Sequence, residues 1–181
     1  MPAPSFAAKP TLSGSRVTLR PVQRSDAIEL AALDPETIQL TGTHGSLGLG
    51  ELEEWYATRG DQTDRVDWAI IESATSCWAG EVVLNNLDVD NRSCGFRILL
   101  QGPRFYGRGL GTEATRLAVD HAFAVGVHRV ELEVYDFNPR ARRVYEKVGF
   151  RHEGTKRDAL FWGGVWVDAH QMAMLETDRV A

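Results

Sequence analysis

Between an alternating apolar run that ends at Leu100 and a helical pattern that begins near Leu110, the chain reads Arg104-Phe-Tyr-Gly107-Arg-Gly109-Leu-Gly111-Thr-Glu-Ala114. Three glycines at a strand-to-helix junction leave backbone N–H groups uncovered at the positive end of a helix, which makes an anion cradle. The helix that follows carries Ala114, Leu117, Ala118, Ala122 and Val125 on one face, the pattern of a helix packed closely on a sheet. Neither familiar nucleotide motif fits. A P-loop needs Gly-Lys, which the chain lacks, and the dinucleotide fingerprint would need glycine where Thr112 stands.

The pattern on either side of this junction differs. Before it, Arg16–Val22 alternates as an outer strand, Ser25-Asp26 predicts the cap of a helix through Leu33, and residues 41–50 carry four glycines, as a loop would. An acidic helix over Glu51–Arg59 follows, then strands over Asp67–Glu72, Cys77–Asn85 and Arg92–Leu100, an antiparallel meander. After it come a helix over Leu110–Val125, a strand over Arg129–Tyr135 and a helix over Pro139–Val148, with Asn138 and Pro139 at N-cap and N1. Strands over Arg151–Trp162 and Val165–Leu175 meet at the turn Gly163-Gly164.

With 181 residues, 43% of them apolar, one core is expected, as a single domain over residues 14–178 after a flexible Pro/Ala/Ser-rich segment at 1–13. No apolar run approaches the roughly 18 to 20 residues a bilayer crossing needs, and the start has no signal-like stretch, so a cytoplasmic protein is expected. Two cysteines and five histidines show no metal-ligand spacing, and no metal is expected. A net charge of −5 argues against a nucleic-acid partner. Its distribution is uneven: from Asp26 to Asp90 stand 14 acids against Arg59 and Arg65, whereas from Arg104 to Arg157 stand 11 bases against 7 acids. One region suits a cation, the other an anion.

The junction resembles the [QR]-x-x-G-x-[GA] hallmark of the GNAT superfamily of acyl-CoA-dependent N-acyltransferases, in either of two registers: Arg104-x-x-Gly107-x-Gly109, or Tyr106-x-x-Gly109-x-Gly111, which the helix phase favours. Downstream, Asn138-Pro-Arg-Ala141-Arg-Arg-Val-Tyr145-Glu-Lys-Val-Gly149-Phe150 is similar to a second signature of that superfamily. Val17-Thr-Leu-Arg-Pro-Val and the Gly-Phe-Arg-x-Glu-Gly154 segment look like its RimJ/RimL branch. The resemblance implies an α+β, three-layer fold whose mixed twisted sheet of six or seven strands, with about four helices, splays between the fourth and fifth strands. It implies acetyl-CoA as co-substrate, its pantetheine arm on Ile98, Leu99 and Leu100, its pyrophosphate on amides of Gly107, Arg108, Gly109, Leu110, Gly111 and Thr112, and Asn138 opposite the arm. It also implies a homodimer.

Amide formation needs a neutral amine, yet a lysine-like amine with a pKa near about 10.4 is almost wholly protonated at pH 7. The resemblance offers Glu133 as general base, although strict alternation also places Glu131, Glu133 and Tyr135 on a face that water alone would explain. Tyr145 falls at the position of the family's general acid and equally on the apolar stripe of its helix. Arg140, Arg142, Arg143 and His44 are expected on the surface, and Cys94 as a packing thiol. The expected reaction is direct transfer of acetyl to a primary amine, either a protein N-terminus or a small cationic molecule, entering between the acidic helical region and the hairpin bearing Phe161, Trp162 and Trp166. The oxyanion is expected on a backbone N–H near Ile98–Leu100. The competing class is a non-catalytic CoA-binding sensor of the same fold.

Overall fold

The computed structural model describes residues 3–45 and 47–179. One eight-stranded sheet runs in the order β1-β2-β3-β4-β5-β6-β8-β7, with β1 Leu12–Ser13, β2 Val17–Pro21, β3 Val66–Glu72, β4 Trp78–Asp88, β5 Ser93–Leu100, β6 Arg129–Tyr135, β7 Arg151–Trp162 and β8 Val165–Leu175. Five α-helices accompany it: α1 Ala27–Ala31, α2 Pro35–Thr41, α3 Leu49–Ala57, α4 Leu110–Ala124 and α5 Pro139–Val148.

All neighbours pair antiparallel except β5 and β6, which are parallel. That pairing covers only Ser93↔Arg129, Cys94↔Val130 and Gly95↔Glu131, after which the two strands part. The sheet is therefore forked, and alternate backbone groups of Phe96–Leu100 turn toward the gap instead of a neighbouring strand. On the other side of β5, Gly80 lies against the strand so closely that a β-carbon there would fall 2.0 Å from the Leu99 carbonyl oxygen. Only glycine lets β4 hold this stretch of β5 in place.

Alternation sorts the two faces. Val82, Leu84, Cys94 and Phe96 belong to the main core, which buries Leu110, Ala114, Ala118 and Ala122 of α4 and Tyr145 of α5. Glu81, next to Val82, turns to the opposite face, where its carboxylate meets Tyr56 of α3 in a second, smaller cluster with Ala27 and Leu52. Glu113, in the first turn of α4, ties that helix to the start of β2. Its carboxylate accepts from the backbone of Ser15, Arg16 and Val17 at 3.1, 2.7 and 2.9 Å.

Three expectations are corrected. The described residues hold eight strands and five helices, because β1 adds a two-residue edge and α2 occupies the stretch before the glycine-rich loop, where no element is expected from the sequence. The fork therefore falls between the fifth and sixth strands. The missed helix has an ordinary signal: Asp34 accepts from Thr37 N at 2.9 Å and Pro35 opens the first turn. The helix expected over Ser25–Leu33 is shorter: Arg24–Asp26 form a 3-10 turn, in which the Asp26 carboxylate accepts from Gln23 N at 2.8 Å and pairs with Arg20 at 2.7 Å, and α1 runs only from Ala27 to Ala31.

The opening segment is the third correction. Phe6 is fully buried in the main core, Trp68 Nε1 donates to Pro10 O at 2.8 Å, and Lys9 Nζ donates to the carbonyls of Phe6 and Arg65 at 2.8 and 2.6 Å. One aromatic ring and one lysine, isolated in a sequence without periodicity, are enough to pin the segment. Phe6→Ala should destabilise the protein by about 3–5 kcal/mol through transfer and cavity terms; chemical denaturation measures it, and a loss under about 1 kcal/mol would mean that the segment packs without contributing.

Candidate active site

Two cavities meet at the fork. The first, about 350 Å³, runs from Ile98–Leu100 past the glycine loop to α5. Gly109, φ +82°, is the N-cap of α4, and the first helical bond is Glu113 N to Gly109 O at 3.0 Å. None of the backbone N–H groups from Gly107 to Thr112 donates to another group among the described residues. Six free amides at the N-terminus of a 15-residue helix form an oriented positive pole, the arrangement a diphosphate requires. Tyr106 lines this cavity and Arg104 does not, which favours the register through Tyr106, Gly109 and Gly111.

The cavity's cations come from α5. Arg140, Arg143 and Lys147 line it, and the Arg140 guanidinium lies 3.6 Å from the centre of the Tyr106 ring. They sit three and four residues apart, on one face, while Arg142 turns away to Glu146 at 3.0 Å. Helical spacing in the sequence could have separated the two groups. Arg108, expected to contribute its amide alone, pairs its guanidinium with Glu72 outside the cavity, leaving the main chain free to do so. Asn138 lines the cavity while its Oδ1 caps α5 by accepting from Ala141 N at 3.1 Å, so capping and lining coexist.

The second cavity, about 490 Å³, lies on the α1–α3 face of the sheet. Ile98, Leu99, Asn138, Tyr145, Leu40 and Thr41 line both cavities, so the missed helix α2 forms part of their common wall. Tyr145 is buried against Phe96 and Phe150, and its hydroxyl makes no hydrogen bond among the described residues. Burial pushes its phenol pKa well up, so it stays protonated at neutral pH.

Glu133 reaches the second cavity but is half-exposed and ion-paired with Lys156. The sequence reading missed the other carboxylate there, Glu81. It sits deep in the wall opposite Leu99 of β5, where burial, opposed by the Tyr56 hydroxyl it accepts from, pushes its pKa up to about 7. A charged residue inside the apolar run of β4 was the available signal. Of the 14 acids between Asp26 and Asp90, Glu81 alone lines this cavity. His44 is exposed but lines it too, stacked on Trp162 at 5.1 Å, which is how the terminal hairpin reaches the site. Cys94 is a buried packing residue whose thiol is pushed up to about 12, as expected of an inert thiol.

A forked sheet, a free amide cradle and a second cavity opening onto a shared tyrosine invite comparison with known proteins. Residues 16–151 match the family model described as Acetyltransferase (GNAT) domain. The chain belongs to the GNAT acetyltransferase family. It is similar to the Probable N-acetyltransferase YjcK of Bacillus subtilis, 28% identical over 92% of this chain and 98% of that one, and to the Spermidine N(1)-acetyltransferase of Vibrio cholerae, 30% identical over 70% and 73%. A crystal structure of spermidine N-acetyltransferase from Vibrio cholerae in complex with CoA and spermine superposes with a TM-score of 0.82 at 25% identity, covering 91% of this chain and 98% of that one. The protein is thus an N-acetyltransferase with acetyl-CoA as co-substrate, and the cradle and its cations fit that molecule's phosphates.

Gly109→Asp tests the cradle. Asp is among the residues that accept a left-handed backbone, and a β-carbon at Gly109 would approach Arg16 no closer than 3.6 Å. The protein should stay folded while CoA affinity, read by calorimetry, falls roughly tenfold or more as a carboxylate faces the phosphates. Unchanged affinity would place the phosphates elsewhere.

Proposed function

We propose that the protein transfers acetyl from acetyl-CoA to a primary amine of a small cationic molecule by direct attack within a ternary complex. Tyr145 at the meeting point of two cavities carries this reading: one cavity is built for an anionic carrier, the other for an amine. The bound co-substrate supplies an acyl group activated as a thioester. The chain's own residues manage protons and exclude water.

The amine's ammonium is drawn to the carboxylates of Glu81 and Glu133. Glu81 takes its proton, because a base with a pKa near the working pH transfers protons best and Glu133 is already engaged by Lys156. Glu133 orients the amine. Tyr145 Oη, protonated and unbonded, gives its proton to the departing sulfur, and the unpaired edge of β5 near Ile98–Leu100 offers backbone N–H groups to the carbonyl oxygen. Phosphates rest on the amides of Gly107–Thr112 and on Arg140, Arg143 and Lys147. The spermidine acetyltransferase of Vibrio cholerae, similar both in sequence and in structure, supports a small cationic acceptor over a protein N-terminus. Included in the proposal are the RimJ/RimL-like branch, a cytoplasmic location, and a homodimer for which the exposed Phe161, Val165 and Trp166 of the hairpin provide an apolar surface. The described residues include no helix long and apolar enough to cross a membrane.

Tyr145→Phe should lower kcat about a hundredfold or more while leaving CoA affinity unchanged. Turnover equal to wild type would remove Tyr145 from proton transfer and favour a different acid. Glu81 must be deprotonated to act, so kcat/KM for the amine should fall as pH drops through about 7. Glu81→Gln should be slow and lose that inflection; a retained inflection near 7 would transfer the base role to another group.

A further inference from the structure

Four formally charged side chains line the acceptor cavity: Arg65, Glu81, Arg97 and Glu133. Two are already neutralised. Arg65 holds Asp67 through two hydrogen bonds, at 2.8 and 2.6 Å, and Glu133 holds Lys156. Arg97 has no carboxylate within ion-pair distance among the described residues. Cross-strand register puts it beside Glu81: Glu81 faces Leu99 and Val83 faces Arg97, so the two charges are diagonal neighbours on one face of β4 and β5, about 7–8 Å apart at the backbone.

Most of the remaining wall is apolar, with Thr41, Thr43, His44, Tyr135, Asn138 and Tyr145 as its uncharged polar members. Leu30, Leu33, Ile38 and Leu52 line the interior, while Leu47 and Trp55 line it with 48% and 43% of their surfaces exposed. A ligand seated here covers large hydrocarbon side chains that water otherwise wets, which favours an apolar body. One carboxylate, Glu81, is available to receive an ammonium without first breaking an ion pair. A second ammonium a few methylenes away would meet the guanidinium of Arg97, which lines the cavity at its solvent-exposed rim and repels a like charge there.

Building on the acetyltransferase reading above, we propose that the acceptor is a primary amine with one ammonium and an apolar body, and that Arg97 is the specificity-determining residue that excludes polyamines. Arg97 acts by repulsion. It takes no part in proton transfer and shapes only which amines are admitted.

The test uses the full-length protein with acetyl-CoA and follows CoA release with a thiol reagent. Acceptors are 2-phenylethylamine and isoamylamine against putrescine and spermidine, for wild type, Arg97→Gln and Arg97→Glu. Wild type should show kcat/KM for 2-phenylethylamine at least about tenfold above spermidine. Arg97→Gln should raise the spermidine value about fivefold or more with the KM for acetyl-CoA unchanged, and Arg97→Glu should raise it further. Spermidine preferred by wild type, or a preference unmoved by either substitution, would overturn the proposal. CoA binding without turnover of any amine would instead remove the acetyltransferase reading, and this proposal with it. The wild-type preference stands as a test even if a variant fails to fold.

Discussion

The structure depends on a hydrogen-bonded ladder that stops early. β5 and β6 pair in parallel over three residues and then diverge, because each is committed elsewhere: β5 to β4 along its length, and β6 to β8 from Arg129 to Tyr135. Unpaired strand edges are ordinarily covered or blunted, since exposed N–H and C=O groups cost free energy when buried and invite foreign pairing when exposed. Here they open onto a cavity between two helices that follow the diverging strands. The fork is thus a binding device, and Gly80 helps to maintain it by letting β4 approach the Leu99 carbonyl where any side chain would push the strand away.

From the fork follows a division of electrostatic labour. On the α4–α5 face, the free amides of the glycine loop and the cations of α5 create positive potential with no carboxylate among the lining residues. On the α1–α3 face, charges of both signs occur, two of the four already paired, inside a mainly apolar wall. Tyr145 stands between the two, and its burial keeps the phenol neutral whichever face carries charge. Desolvation penalises the phenolate of Tyr145, so the proposed donor keeps its proton until the sulfur departs, and it lifts the carboxylate of Glu81, the proposed base, toward 7. One physical cause, removal of water, tunes both groups.

Several side chains carry two duties. Asn138 caps α5 and lines both cavities; Glu113 belongs to the cradle helix and anchors the start of β2; Tyr56 fills the minor core and donates to Glu81. Such sharing couples the site's geometry to the fold's stability. It is also why motif positions such as Asn138 and Tyr145 satisfy a packing or capping explanation and a chemical one together.

Local patterns in the sequence were sufficient for the elements from Leu110 to Leu175, where Asn138-Pro139, Gly149 and Gly163-Gly164 punctuate strong periodicity, and the strand and helix limits fall where capping and turn chemistry put them. They also sufficed for the anion cradle, since free amides at a helix start are a property of the local chain. The buried role of Phe6, the carboxylate of Glu81, the unpaired Arg97 and the turning away of Arg108 toward Glu72 were decided only by tertiary structure. The reason is physical: helix and turn preferences arise within a few residues, whereas desolvation and charge pairing depend on which distant segments share a cavity, and a linear pattern does not hold that distance.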